Sequence, residues 1–519
     1  MLFNSYTFLL VFLPTVLAAF WLAHRLGLSI MRGPILLAAS VVFYAWWSID
    51  YLALLGTSIL VNYHLGKAIR GDSSQGIKYL WLGISINLGI LLYYKYTNFL
   101  LVQVNYFLEP PIANEPILLP LAISFFTFQQ IAYLVDCYRG KAAKTGLFTY
   151  ALFVAFFPQL IAGPIVRSIE MVPQFQVIRS ARSSITSNLG PGITIFLIGL
   201  AKKVILADSL AAFATPIFSA ADQGAVITML ESWIAALAYT FQLYFDFSGY
   251  SDMAIGLARM FGIKIPVNFF SPYKATSIID FWRRWHMTLS RFLREYLYIP
   301  LGGNKGGYFG QSRNIMITML LGGLWHGAGW TFALWGGLHG IYILINHGWE
   351  KVPIRFFHKI SESSKIYKTF SWAITFIAVV SAWVIFRAQT IDGALSMISS
   401  MYGLNGLTVP KDYQFLLAQL AGPLTAMGVE FQGVQIIWQL SKIEFSILLS
   451  ISFFIAFACP NTAQLFELLS EEKYRTPLSR KKLVFKWAPN AAWLLVSFLL
   501  FVFSLDNMTD VSEFLYYQF

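Results

Sequence analysis

Two histidines stand where an imidazole is costly to keep. His326 sits in an apolar, glycine-studded run, Leu320-Leu321-Gly322-Gly323-Leu324-Trp325-His326-Gly327-Ala328-Gly329-Trp330. His286 closes a cation-rich one, Asp280-Phe281-Trp282-Arg283-Arg284-Trp285-His286. Ionisable groups at membrane depth need a use or a partner, which makes them candidates for function. An imidazole titrates near pH ~6.5, so a buried neutral ring at position 326 suits a general base. A histidine bonded to a neighbouring helix's carbonyl is the other reading of the same residue. Gly323 with Gly327, and Gly336 with Gly340, form small-xxx-small pairs. Such pairs let a helix, or a thin acyl or pantetheine arm, come close. Arg283 and Arg284 suit the phosphates of a nucleotide-bearing donor such as coenzyme A, and equally a lipid headgroup.

Other polar residues punctuate apolar sequence. Asp246 and Asp252 lie in Tyr244-Phe245-Asp246-Phe247-Ser248-Gly249-Tyr250-Ser251-Asp252. They either orient a histidine, bind a cation or join a structural network of hydroxyls. Lys95, Gln129, Gln130 and Asp136 read as structural or interfacial points. His339 follows His326 by thirteen positions and, on an unbroken helix, would face elsewhere. His24, His64, His347 and His358 fall near the ends of apolar runs. No HExxH, GxSxG, Walker loop or paired cysteine motif occurs, which excludes a zincin, a serine lipase and a P-loop ATPase. Cys137 and Cys459 are the only cysteines, so neither a zinc site nor a disulfide framework is expected, and no metal is predicted.

The elements that must carry these groups are membrane helices. Of 519 residues, 57% are hydrophobic and 12% charged, and the mean hydropathy is +0.62. A soluble domain carries about a quarter charged residues. Continuous apolar runs rather than alternating ones predict an all-α polytopic membrane protein and not a barrel. Candidate spans are 6–24, 33–48, 50–66, 78–101, 117–137, 147–166, 188–210, 226–247, 314–332, 333–349, 370–388, 444–459 and 488–506. That is about eleven to thirteen transmembrane or re-entrant segments in a single membrane domain over residues 1–519. The first run, with Arg25 after it, reads as a membrane helix rather than a cleaved leader.

The net charge of +12 fits the positive-inside rule and anionic lipid, and no basic stripe supports nucleic-acid binding. Basic loops at Lys67, Arg70 and Lys78, at Arg139, Lys141 and Lys144, and at Lys473 to Lys486 are assigned to the cytoplasmic side. Residues 264–313 are too charged to span lipid and too aromatic for a plain loop, which predicts an amphipathic or re-entrant segment. Residues 401–440 read as an extramembrane loop with short helices.

Several of these segments together resemble the membrane-bound O-acyltransferase family, and within it the bacterial alginate O-acetylase type. The similarity lies in Ser40–Trp47 (SVVFYAWW), Leu243–Leu257 (LYFDFSGYSDMAIGL), Phe281–Leu289 (FWRRWHMTL), Tyr296–Asn304 (YLYIPLGGN), Met319–Ala328 (MLLGGLWHGA) and Ala382–Arg387 (AWVIFR). The resemblance implies a ring of helices around a funnel open to the cytoplasm. It implies that His326 is the catalytic histidine and His286 the second histidine of the site. It further implies transfer of an acetyl group from a cytoplasmic thioester, acetyl-CoA or another, with no bound cofactor. The product would be an O-acetylated exported polysaccharide such as alginate, made with an extracytoplasmic SGNH-type partner at the bacterial inner membrane. Departures at Gly329-Trp330-Thr331 and near 401–440 leave cellulose or another envelope polymer open. A transporter or export component, or a non-catalytic scaffold, would use the same polar residues differently. Transport would favour two repeated halves with matched broken helices, and the sequence contains no such pairing.

Overall fold

Helices follow the apolar runs, and polar side chains decide where they break or continue. The structure is a computed structural model and describes residues 1–71, 74–112, 115–161, 163–180, 186–351, 364–410, 413–432, 442–469, 486–508 and 515. The basic cluster from Lys473 to Lys482 lies outside the described residues.

A π-helical turn, Thr7–Phe12, leads into α1 (Leu13–Arg25), which has Pro14 in its first turn, where a missing N–H costs nothing. Next come α2 (Arg32–Ala45), α3 (Ile49–Gly71), α4 (Gly76–Asn105) and α5 (Ile123–Tyr138). The run expected over 147–166 is not one span. α6 (Leu147–Ala155) stops at Phe156, whose ψ of 107° is not helical, and α7 (Phe157–Leu160) starts afresh with Pro158 near its N-terminus. After α8 (Ser168–Ser180), α9 (Thr186–Ala201) passes through a π-helical turn, Lys202–Ala207, into α10 (Asp208–Asp222). The segment expected to end at 210 therefore continues to 222.

α11 (Met229–Met260) starts at a capping box formed by Thr228 and Glu231. Hydropathy ends this span near 247, but the helix runs on to Met260. Both acids that interrupt the pattern are paired: Asp246 with Lys203 at 2.6 Å, and Asp252 with Lys202 at 2.6 Å. Asp252 also accepts a hydrogen bond from the Thr462 hydroxyl at 2.6 Å. Buried charges persist when paired and hydrogen-bonded. Glycines let α11 lie directly on α9: a Cβ on Gly256 would sit 2.6 Å from the Gly192 carbonyl oxygen, and one on Gly249 would sit 2.7 Å from that of Gly199.

Residues 264–306 are built of short pieces before the next long helix begins. These are a 3-10 turn at Pro272–Lys274, α12 (Ile278–Trp282), α13 (Met287–Leu293) and a π-helical turn at Arg294–Tyr298. Then come α14 (Gly307–His326), α15 (Trp330–Lys351), α16 (Lys365–Arg387) and α17 (Ile391–Met401). Within 401–440, strand β1 (Leu407–Pro410) pairs in parallel with β2 (Val429–Gln432), and α18 (Tyr413–Leu416) and α19 (Ala418–Ala426) lie between them. Residues 433–441 are outside the described set. α20 (Lys442–Phe453), α21 (Thr462–Leu465) and α22 (Ala491–Asp506) complete the α-helices among the described residues.

Among the described residues, five helices are long and apolar enough to cross a membrane: Thr7–Arg25, Ile49–Gly71, Gly76–Asn105, Ser187–Asp222 and Lys365–Arg387. Shorter apolar helices accompany them at Ser29–Ala45, Ile443–Ala458 and Ala491–Asp506. The protein is an all-α polytopic membrane protein.

Candidate active site

His326 is the last residue of α14, and Gly327 beyond it is extended, with φ −156° and ψ 152°. A Cβ at Gly327 would lie 2.1 Å from the ring of Phe332, so a larger residue at this exit would have to displace that ring. α15 folds back against α14 with backbones in contact. A Cβ on Gly323 would meet the Phe332 carbonyl oxygen at 2.3 Å, and one on Gly336 would meet that of Met319 at 2.3 Å. The imidazole of His326 is buried, not lipid-facing. Its ring centroid lies 5.0 Å from Trp325, 5.2 Å from Trp335, 5.3 Å from Phe386 and 6.4 Å from His286.

His286 reaches the same place from the turn between α12 and α13. Its backbone is left-handed, with φ 41° and ψ 54°, a strained conformation for a residue with a Cβ, of the kind that gathers at functional sites. The ring is fully buried, with Phe247 at 4.7 Å edge-on. Asn268 fixes it: Nδ1 lies 3.1 Å from Asn268 Oδ1, the oxygen that also accepts from the Thr288 hydroxyl at 2.9 Å and the Thr288 N–H at 3.3 Å. The Met287 N–H donates to the Asn268 carbonyl at 2.9 Å, so side chain and backbone of one residue hold the whole turn. This arrangement assigns the proton to Nδ1 and leaves the Nε2 lone pair as the working atom. Among the described residues, Nε2 is buried without a hydrogen-bond partner.

The two arginines beside His286 part company. Arg283 is exposed, whereas Arg284 is buried and ion-paired with Asp280, Nε to Oδ1 at 2.9 Å. A second charged network braces α13 from α8. Arg291 grips Glu170 through both carboxylate oxygens at 2.7 and 3.1 Å, and Arg167 bridges Glu170 at 3.1 Å and Glu295 at 2.6 Å. Burial works against the charge on Arg167, but the two carboxylates outweigh it and raise its pKa above the ordinary value. Asp246 and Asp252 serve α11 packing through their lysines.

His339 was expected to face away from His326, on the premise of one continuous helix. The break after Gly327 removes that premise. His339 lies buried on α15, its ring 4.8 Å from Trp335, which itself stands 5.2 Å from His326. Trp282 donates its indole N–H to His339 Nδ1 at 3.3 Å. Among the described residues, no group of three His, Cys, Asp or Glu could hold a metal ion. Two grooves, of about 640 Å³ beside Lys274 and Trp372 and about 240 Å³ beside Arg259 and Phe466, are lined by neither site histidine.

Sequence reasoning did not identify Asn268, Trp335 or Phe386 as part of the site. Asn268 offered one faint signal, a lone amide in an apolar stretch. Lys95 reads from sequence as a structural or interfacial point, yet with Tyr96 it reaches the end of α14.

Residues 141–391, which include His286, His326 and Asn268, match the membrane-bound O-acyltransferase (MBOAT) family. Over 437 residues the chain is 42% identical to the peptidoglycan O-acetyltransferase of Helicobacter pylori, covering 79% of this chain and 81% of the relative. The chain belongs to the membrane-bound O-acyltransferase family. This membrane-bound O-acyltransferase is also 43% identical over 420 residues to the "Probable alginate O-acetylase" of Azotobacter vinelandii, covering 79% of each chain. The teichoic acid D-alanyltransferase of Streptococcus thermophilus is 31% identical over 254 residues, 46% of this chain and 60% of the relative. Family and relatives make the chain an O-acyltransferase enzyme, one of the readings its sequence left open.

Proposed function

We propose that this enzyme moves acetyl groups from a cytoplasmic thioester, acetyl-CoA as the first candidate, to hydroxyls of an exported cell-envelope polysaccharide. The observation that carries the reading is the buried pair of imidazoles, His326 and His286, 6.4 Å apart between ring centroids and supplied by two separate elements. The names of the two relatives at 42% and 43% identity support a polysaccharide acceptor without choosing between peptidoglycan and alginate.

In this reading the acceptor oxygen bonds to the acyl carbon and the carbon–sulfur bond breaks. The hydroxyl proton passes to His326 and then to the departing thiolate. As the second histidine of the site, His286 would position or polarise the acyl carbonyl. With Nδ1–H directed at Asn268, its Nε2 can donate only as imidazolium, and burial opposes that charge. As a neutral ring it accepts a hydrogen bond, so His286 orients the acceptor hydroxyl. Arg283, exposed beside the site, is the arginine free to meet donor phosphates, while Arg284 is committed to Asp280. An extracytoplasmic SGNH-type partner and an inner-membrane location complete the proposal.

The test compares wild type with His326→Ala in cells lacking the native gene. Ester-linked acetate is measured on purified exopolysaccharide and on peptidoglycan, and release of thiol from acetyl-CoA is measured in proteoliposomes. The general-base role predicts a loss of about 10²–10⁴-fold in turnover with the variant still folded. Undiminished acetylation by folded His326→Ala overturns it. Acetylation without consumption of acetyl-CoA replaces the donor.

A further inference from the structure

We infer that Lys95 and Tyr96 are positioning residues for His326, clamping the end of the helix that carries it. A helix leaves its last four carbonyls without intrahelical donors. The usual remedy is a left-handed residue just past the end, whose N–H folds back. α14 lacks this remedy, because Gly327 is extended. Donors arrive from the side instead. Tyr96 gives its hydroxyl to the Leu324 carbonyl at 2.6 Å. The Lys95 ammonium gives hydrogen bonds to the Trp325 carbonyl at 2.6 Å and the His326 carbonyl at 3.0 Å, with Ser124 Oγ at 3.5 Å. Two consecutive residues of α4 thus hold three consecutive carbonyls of α14.

Charge and location both favour this arrangement. The carbonyl end of a helix is its negative pole, so an ammonium there is attracted, which offsets part of the cost of burying its charge. The clamp closes on the residue from which the imidazole projects. Misplacing a reacting group by about 1 Å can cost about 10²-fold in rate, so the clamp acts on geometry rather than on bond making. Lys95 and Tyr96 fall outside residues 141–391, the stretch that matches the family. The inference rests on His326 being the reacting group.

The full chain in proteoliposomes, with acetyl-CoA as the donor probe, tests it through Lys95→Met, Lys95→Arg, Tyr96→Phe and Asn87→Leu. Asn87 lies on the same helix and pairs with Asn62 through reciprocal amide hydrogen bonds at 2.6 and 3.2 Å, away from α14. The expected result for Lys95→Met is a fall in kcat of about 30- to 100-fold with KM for acetyl-CoA within about twofold. Lys95→Arg, which keeps charged donors, recovers most of that loss, and Tyr96→Phe loses about three- to tenfold. Asn87→Leu lowers the thermal midpoint while turnover per folded molecule holds. Lys95→Met within about threefold of wild type, a change confined to KM, or an equal loss per folded molecule in Asn87→Leu overturns the inference. If His326→Ala is inactive and Lys95→Met active, only the clamp is wrong. If His326→Ala is active, the functional reading itself is wrong.

Discussion

At the scale of the residue, one amide decides what His286 can do. Asn268 Oδ1 faces the imidazole Nδ1 at 3.1 Å and anchors Thr288 on the next element. Replacing Asn268 with Leu removes that acceptor, frees the ring to exchange tautomers and takes the acceptor from the Thr288 O–H, whose oxygen still accepts from the Ile165 N–H at 3.0 Å. We expect turnover to fall by about 10²-fold, the low end for general acid–base effects, with Asn268→Asp retaining more because it still accepts. Steady-state kinetics in proteoliposomes at matched folded protein checks both, and equal rates for wild type and Asn268→Leu would remove the residue from the mechanism. Both histidines were legible in the sequence because an ionisable ring in an apolar run is conspicuous. Asn268 was not, because nothing in a linear string joins it to a ring eighteen positions on. Lys95 was visible as a charge, but its partners are backbone carbonyls more than two hundred residues away, and backbone atoms carry no sequence signature.

At the scale of the element, the apolar runs located the helices and misjudged several ends. Two departures share a cause. Hydropathy scores a side chain alone, whereas α11 continues through Asp246 and Asp252 because lysines from the turn after α9 neutralise them. The reverse holds after His326, where the apolar pattern runs on but glycine geometry ends the helix. Close glycine seams also set a limit on substitution. Gly256→Leu places a side chain where even a Cβ would meet the Gly192 carbonyl oxygen at 2.6 Å and the Phe196 N–H group's nitrogen at 2.6 Å. Overpacking of this kind costs about 1–3 kcal/mol or more. We expect a lower thermal midpoint in detergent and less folded protein, and an unchanged midpoint would show that α9 and α11 do not rely on this contact.

At the scale of the whole molecule, the sequence conveyed the class of protein and the family, while the arrangement of buried charge came only with the structure. Lys203 and Asp246 are nearly sealed, at 3% and 1% side-chain exposure, and Asp246 Oδ2 also accepts the Leu515 N–H at 3.2 Å. Breaking a buried pair costs about 3–5 kcal/mol because one charge is left behind. Lys203 keeps a second partner in Asp208 at 2.7 Å. It is therefore Lys203→Met, which strands the sealed Asp246, that is expected to destabilise by that order, and adding Asp246→Leu is expected to recover part of it. Thermal unfolding of the single and double variants checks this, and an additive double would deny the coupling. The pairing has a further consequence for biogenesis. A charge at the centre of a lone helix costs about 2.5–3.5 kcal/mol to insert. Lys202 leaves the ribosome 50 residues ahead of Asp252. Lys203 meets Asp208 five residues on, but the translocon must hold the Lys202 ammonium until Asp252 is synthesised, which favours entry of these two helices into lipid as a pair.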